Sequence, residues 1–353
     1  MSIIKTKTSI RVRCYKETLV ILESYKKLAG ITRLADISNL DYTGIPVFTA
    51  IRPRAKSLST SQGKGLTKNS AKCSALMEAI EVYFAENLSP EIQDKSIYDL
   101  NRKKLPYIDP SNLNNLVVYT DDRENVNWVN VCSLKSGNRI LAPFPEFSLD
   151  SFLKEVLIYS PNTTGLSGGN TYEEALLHSL LEIIERESND FEMEIGDIEN
   201  NLLNKINHFF ECKIYYKRNS YEIPSFEVLI KSKNPFDNQI IFKGNGCHLD
   251  KTIALNRALT EAIQSRVTII AGSRDDILNS KYDCSDSGWF FNISSCSFND
   301  IPDYAPIDIN NGINYIYDKT VKSDKDIIVF KYHEEDICIL KSKIISTDFI
   351  KNV

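Results

Sequence analysis

GKGLTKNSAKCSALMEAIE (Gly63 to Glu81), SGGNTYEEALLHSLLEIIE (Ser167 to Glu185) and GNGCHLDKTIALNRALTEAIQ (Gly244 to Gln264) are three versions of one unit. Aligned on their last residues, they agree at Ala71, Ala175 and Ala254, at Leu76, Leu180 and Leu259, at Glu78, Glu182 and Glu261, and at Ile80, Ile184 and Ile263. Each reads as a glycine turn that opens a helix. The apolar spacing predicts helices over about Ser70 to Asn87, Thr171 to Asp190 and Lys251 to Ile270.

At ~3.6 residues per turn, Ser74, Glu78 and Glu81 fall on one narrow helical stripe. His178, Glu182 and Glu185 do the same, extended backward by Glu174, and so do Arg257, Glu261 and Gln264. The rest of each wheel is largely apolar, as with Leu76, Met77, Ala79 and Ile80 in the first unit and Leu176, Leu177, Leu180 and Leu181 in the second. A solvated face fills about half of a wheel, whereas these stripes are slivers. The bland alternative is a set of ordinary solvated faces held by ion pairs. Carboxylates gathered in partly apolar surroundings repel one another unless a cation neutralises them. Hard oxygen ligands select magnesium or calcium over zinc, and magnesium keeps positions open for water and phosphate oxygens. A nucleoside triphosphate is therefore the natural co-ligand.

The glycine segments complement this picture, because backbone N–H groups at a helix start favour anions. Lys64, within the first segment, can add a point charge on a phosphate. The GKGL stretch lacks the spacing of a Walker A loop.

Outward from the repeat, VNWVNVCSL (Val126 to Leu134) and NRILAPF (Asn138 to Phe144) read as strands. Strand-like alternation recurs over Lys213 to Phe242 and Asp326 to Leu340. Residues 1 to 60 mix short apolar runs with turn signals, and GITRLADISNLDYTGIPVFTAIRPRAKSLS (Gly30 to Ser59) reads as strands joined by tight polar turns. No regular βαβ rhythm appears, so the expected class is α+β, with mixed or antiparallel sheets and helices packed to one side. The expected organisation is one catalytic domain over residues 1 to 353, with its core motifs at about 30 to 276 and C-terminal strands and tail at 277 to 353.

With 42 Lys and Arg against 47 Asp and Glu, the net charge of −5 argues against broad binding to nucleic acid or an anionic membrane. The N-terminus lacks the apolar core of a secretory signal and no window reads as a membrane span, so a cytoplasmic location is expected. The eight cysteines are scattered without a CxxC pair, which fits reduced thiols. His248 beside Cys247 reads as a packed turn rather than a metal site, and Asp275 and Asp276 as readily cap a helix as bind a ligand.

In their order, the three segments resemble the YcaO family, ATP-dependent enzymes that activate backbone amides of peptides. The resemblance runs from about Gly30 to Asp276. In that family an SxxxExxE helix, an N-x3-E-x7-E-x2-E-R stretch and an E-x2-Q stretch hold ATP and magnesium. Those patterns fall here on Ser74, Glu78 and Glu81, on Asn170, Glu174, Glu182, Glu185 and Arg186, and on Glu261 and Gln264. ATP contacts are thus expected from Lys64, Ser74, Asn170, Glu174, Arg186, Arg257 and Gln264, and Mg2+ contacts from Glu78, Glu81, Glu182, Glu185 and Glu261. Arg257 is preferred over Arg266, which points away from the stripe on an ideal helix.

The resemblance implies a YcaO-like fold and a reaction on a precursor peptide or protein of the natural-product type. A nucleophile adds to an amide carbonyl, the oxyanion takes the γ-phosphoryl of ATP, and phosphate leaves. A neighbouring Cys, Ser or Thr would give an azoline, sulfide a thioamide and an amine an amidine. The sequence ends STDFIKNV, unlike the alternating-proline tail of many azoline-forming members. The block GITRLADISNLDYTGIPVFTAIRP (Gly30 to Pro53) and AGSRDD (Ala271 to Asp276) resemble stand-alone members that act with a TfuA-type protein, some of which form thioamides. The implied partners are the peptide substrate, a leader-peptide-binding or TfuA-type protein, and a second copy in a homodimer. The alternatives are an ATP-using accessory to another modification, such as methylthiolation, and a non-catalytic ATP-binding scaffold.

Overall fold

Each repeat unit is a strand, a short turn and a helix: Thr60–Lys64 before Lys68–Glu86, Leu166–Gly169 before Tyr172–Glu187, and Phe242–Cys247 before Lys251–Ala271. The structure is a computed structural model that describes residues 4–110, 113, 122–152, 162–188, 193–237, 240–273 and 294–352. Of the glycines expected to form turns, Gly63, Gly168, Gly169, Gly244 and Gly246 lie in the strands instead, and Gly65 directly follows its strand. A Cβ on Gly63 would fall on the backbone of Ala71, Ser74 and Ala75, and one on Gly244 on that of Ala258, Glu261 and Ala262. A Cβ on Gly169 would sit 2.5 Å from the Ala175 nitrogen. Glycine in the strand and alanine on the helix therefore let two backbones approach closely. Gly63→Ala should destabilise the chain by about 1–3 kcal/mol, because the strand must move off its helix. A urea midpoint equal to that of the unsubstituted chain would contradict this account.

Backbone contacts divide the chain into two compact units. The first comprises Met1–Arg54, Leu58–Ala79 and Ile184–Ile309, and the second Ala55–Ser57, Ile80–Ile183 and Asn310–Val353. In the first unit, Arg33–Asp36, Val47–Ile51 and Thr60–Lys64 form a three-stranded antiparallel sheet. A five-stranded sheet runs in the order Phe242–Cys247, Ser225–Ser232, Phe210–Tyr216, Met193–Gly196, Ser295–Ser297, with only the last pair parallel. Alternation sends Ile214, Tyr216, Phe226, Val228 and Ile230 into one core with Ala254, Leu255, Ala258, Leu259 and Ala262 of the third motif helix.

In the second unit, an eight-stranded sheet runs Leu166–Gly169, Cys338–Ser346, Lys325–Glu334, Val126–Ser133, Arg139–Pro143, Tyr107–Ile108, Ile350–Lys351, with Ile92–Lys95 also paired to Val126–Ser133. Its pairs are antiparallel except Tyr107–Ile108 with Arg139–Pro143. One face carries a core of Val129, Val131, Ile140, Phe144, Phe147, Ile328 and Phe330. The class is α+β with mixed sheets, as expected.

Four described α-helices go beyond the sequence expectation: the short Ile97–Arg102 and Asn201–Asn207, and two longer ones. The short apolar runs before Gly30 form the helix Tyr15–Leu28, which buries Thr18, Leu22 and Tyr25 on one stripe, and the Glu17 carboxylate accepts from the Cys14 N–H at 3.0 Å. Its Leu-Val-Ile run is β-prone, and tertiary burial overrides that preference. Ile309–Lys322 contains Gly312 and consecutive asparagines, which read as turn residues, yet Ile309, Gly312, Ile316 and Thr320 form its buried stripe. None of the seven described cysteines forms a disulfide with another of them. No helix among the described residues is long and apolar enough to cross a membrane. Asp275 and Asp276 lie outside the described residues.

Candidate functional site

Along all three motif helices the expected stripe residues are half-buried: Ser74, Glu78 and Glu81; His178, Glu182 and Glu185; Arg257, Glu261 and Gln264. The first unit holds Lys64, Ser74, Glu78, Glu185, Arg186, Arg257, Glu261 and Gln264, and the second holds Glu81, Asn170, Glu174 and Glu182.

In the first unit, Lys64, the last residue of its strand, is ion-paired to Glu261. The Asn245 N–H donates to the same carboxylate at 3.2 Å, and Gln264 Nε2 donates to the Gln62 carbonyl at 3.1 Å. These bonds tie two glycine strands to the third helix. Burial works against ionisation of Glu261, but Lys64, the Asn245 N–H and Arg257 hold its pKa below the ordinary carboxylate value. Glu185 is driven the other way, first by burial and then by the charge of Glu261, with Arg257, Lys64 and Arg186 offsetting part of the rise. Two carboxylates thus share one field with three cations. Arg257 Nε is buried without a hydrogen-bond partner among the described residues, a donor suited to an anionic oxygen.

In the second unit, the Gly168 N–H donates to Glu81 Oε1 at 2.5 Å. Asn170 Nδ2 donates to Glu174 at 2.9 and 3.1 Å, and both side chains are buried. These two satisfy each other at the start of the second motif helix. Glu182 lies in the electrostatic field of Lys341, a buried lysine whose pKa is pushed down to about 8 by burial, against the opposing charges of Glu146 and Glu182.

The donor set suits magnesium and a polyphosphate: carboxylates that repel as a pair, with the cations Lys64, Arg186 and Arg257 in the same field. Among the described residues no three His, Cys, Asp or Glu side chains converge tightly enough to enclose a metal by themselves. Glu261, Glu81 and Glu174 are each turned to protein donors. Magnesium needs only one or two carboxylates when phosphate oxygens and waters complete its shell. Asn245 and Gln62, each one residue from a glycine, are members of this network that the stripe argument passed over; the only signal was that adjacency.

Arg266 is held by protein partners of its own. Its Nε lies 3.0 Å from Asp41 and its Nη2 3.2 Å from Asp237, and the side chain is 7% exposed. The rings of Tyr42, Phe210 and Phe242 surround the guanidinium.

His248 is a packed residue, 3% exposed, whose Nδ1 accepts from the Asp250 N–H at 2.9 Å. Burial, and then the charge of Arg257, push its pKa down to about 3. The folded chain therefore keeps the imidazole neutral, whereas an unfolded chain protonates it below about 6.5. Between those values the unfolded state binds the extra proton, so stability is complete above the unfolded value. It falls as pH drops, by up to about 1.4 kcal/mol per unit from this one group. His248→Asn, which can keep an acceptor for Asp250, should flatten that acid limb in denaturation curves measured across pH; an unaltered slope would assign it to other groups.

A family model described as YcaO cyclodehydratase, ATP- and Mg2+-binding, matches residues 62–348. An uncharacterized protein of Mycobacterium tuberculosis is 31% identical over 291 residues, covering 77% of this chain, which spans about 65% of that relative's length. A protein of Rhizobium leguminosarum bv. trifolii, described as lying in the tfuA 3' region, is 29% identical over 282 residues, covering 74% of this chain and 67% of its own. The YcaO structure from Methanopyrus kandleri, bound with AMPPCP and Mg2+, superposes with a TM-score of 0.76 at 17% identity, covering 97% of this chain and 94% of that one. With its helix stripes, its strand glycines and this match over most of its length, the chain belongs to the YcaO family, whose members bind ATP and Mg2+.

Proposed function

We propose that the chain is an ATP- and Mg2+-dependent enzyme that activates a backbone amide of a ribosomally made peptide or protein, giving an azoline or a thioamide. The observation that carries this reading is the family match over residues 62–348, which includes the Lys64, Glu185, Arg257 and Glu261 cluster and its charges. That span draws on both compact units and supports reading the chain as one catalytic domain. Lys64, Arg186 and Arg257 take the phosphates, and Ser74, Asn170, Glu174 and Gln264 orient the nucleotide. Glu78, Glu81, Glu182, Glu185 and Glu261 supply oxygens to magnesium. Bound Mg-ATP supplies the phosphoryl group that turns a poor leaving oxygen into phosphate. The protein's own share is mainly positioning and charge placement. Association with a TfuA-type protein is supported by the Rhizobium relative's description, and thioamide formation goes with that association. The homodimer and the cytoplasmic location stay part of this proposal.

Incubation with a candidate Cys- and Ser-rich precursor peptide, ATP and Mg2+ should give a mass decrease of one water, or the increase expected when sulfur replaces oxygen. Full ATP-dependent activity in both Glu78→Ala and Glu182→Ala would refute the assigned residues. Intact Mg-ATP binding without any change to the peptide would favour an accessory role, and no Mg-ATP binding a scaffold.

A further inference from the structure

The strand Cys338–Ser346 is paired along its length with Lys325–Glu334 on one side. On the other, only Cys338 to Lys341 are paired, opposite Leu166–Gly169. Pairing stops where Gly165, at φ +79°, turns the chain away after accepting a last hydrogen bond from the Ser342 N–H at 3.1 Å. Along an antiparallel strand the N–H and C=O of one residue point to the same edge, and successive residues alternate. Ser342 faces the Gly165 side, so Ile344 and Ser346 present their backbone groups there too. No described strand meets them.

A pocket of about 340 Å³ opens along this stretch, walled by Ser342 to Ser346 themselves together with Thr164, Ile183 and Phe349. Lys325 also lines it. Lys343 is paired to Glu146, whereas Lys325 forms no ion pair among the described residues. Sheet edges are ordinarily blunted by charge, proline, a bulge or a covering element. Here half of an inner strand instead offers backbone donors and acceptors beside an apolar hollow and one uncompensated cation. All of these residues belong to the second unit.

We propose that this edge receives an extended segment of the peptide substrate by β-strand addition, with an apolar side chain in the pocket and an acidic side chain on Lys325. The proposal rests on reading the chain as a peptide-modifying enzyme, and it uses none of the residues assigned to the nucleotide. Main-chain hydrogen bonds to Ile344 and Ser346 supply affinity that is indifferent to sequence, and the pocket and Lys325 supply selectivity. An enzyme that holds its substrate in this way can act on a reactive residue at a set distance along the peptide.

The probe is a short, fluorescently labelled synthetic peptide in which Leu and Glu alternate, with binding read by anisotropy. Ile344→Pro removes one donor from the open edge while leaving the pairing with Lys325–Glu334 intact, since proline is tolerated at such edge positions. It should weaken probe binding by about tenfold or more. Lys325→Glu should weaken the same probe and strengthen one in which Leu and Lys alternate; this second variant decides the matter if Ile344→Pro fails to fold by circular dichroism. Calorimetry on Mg-ATP runs in parallel. Equal probe binding by both variants and the unsubstituted chain overturns the docking edge, as does an unsubstituted chain that binds Mg-ATP but not the probe. Edge-dependent probe binding without Mg-ATP binding would instead keep the edge and sink the enzymatic reading.

Discussion

Glu261→Gln should weaken Mg-dependent ATP binding by about 10- to 100-fold and lower ATP-dependent turnover by about 100-fold or more. The amide keeps the shape of the side chain and can still accept from the Asn245 N–H. It removes the negative charge that Lys64 and Arg257 stabilise and that raises the pKa of Glu185. The substitution therefore separates charge from packing. Calorimetry with ATP at fixed Mg2+ gives the affinity, and the thermal midpoint reports whether the fold is intact. ATP affinity equal to that of the unsubstituted chain would remove Glu261 from the proposed magnesium set. Glu261→Ala is the harsher version, because it also strands Lys64, whose side chain is 19% exposed.

Arg266→Ala should act on stability instead, costing about 3–5 kcal/mol because a buried charge loses its partner. Asp41 would be left with an inaccessible side chain, although the Thr43 N–H at 2.9 Å and the Thr43 hydroxyl at 2.5 Å still donate to its other oxygen. The aromatic box of Tyr42, Phe210 and Phe242 would lose its filling. Arg266→Lys should recover little, since an ammonium cannot bridge two carboxylates as the planar fork does. Urea denaturation measures the effect. A loss below about 1 kcal/mol together with a large drop in ATP affinity would move Arg266 from the fold to the site.

Helix Lys251–Ala271 carries both arginines, nine residues apart, and shows how far one-dimensional reading reaches. On a helical wheel Arg257 shares a stripe with Glu261 and Gln264 while Arg266 turns away, and the two environments differ in that sense. What awaits Arg266 on its own side could not be read locally: Asp41 lies 225 residues away in the chain. The glycines carry the complementary lesson. Beside a helix start they read as turns, because turn glycine and close-approach glycine look identical until the opposing backbone is known. The two longer additional helices, Tyr15–Leu28 and Ile309–Lys322, were hidden by β-prone and turn-prone residues whose local preferences are worth less than the burial of Leu22 or Ile316.

By itself, the sequence determined the three motif helices, their half-buried polar stripes, the α+β class and the family, because helical periodicity and motif spacing are properties of neighbouring residues. Only the tertiary structure decided which of those polar groups share a field. Lys64 and Glu261 are separated by 197 positions, and Asn245 and Gln62 join them through backbone groups that carry no sequence signature. Electrostatics and close packing act through space, so the pairing of Lys64 with Glu261, the opposite pKa shifts of Glu185 and Glu261, and the open edge at Ile344 exist only once strands and helices are laid against one another.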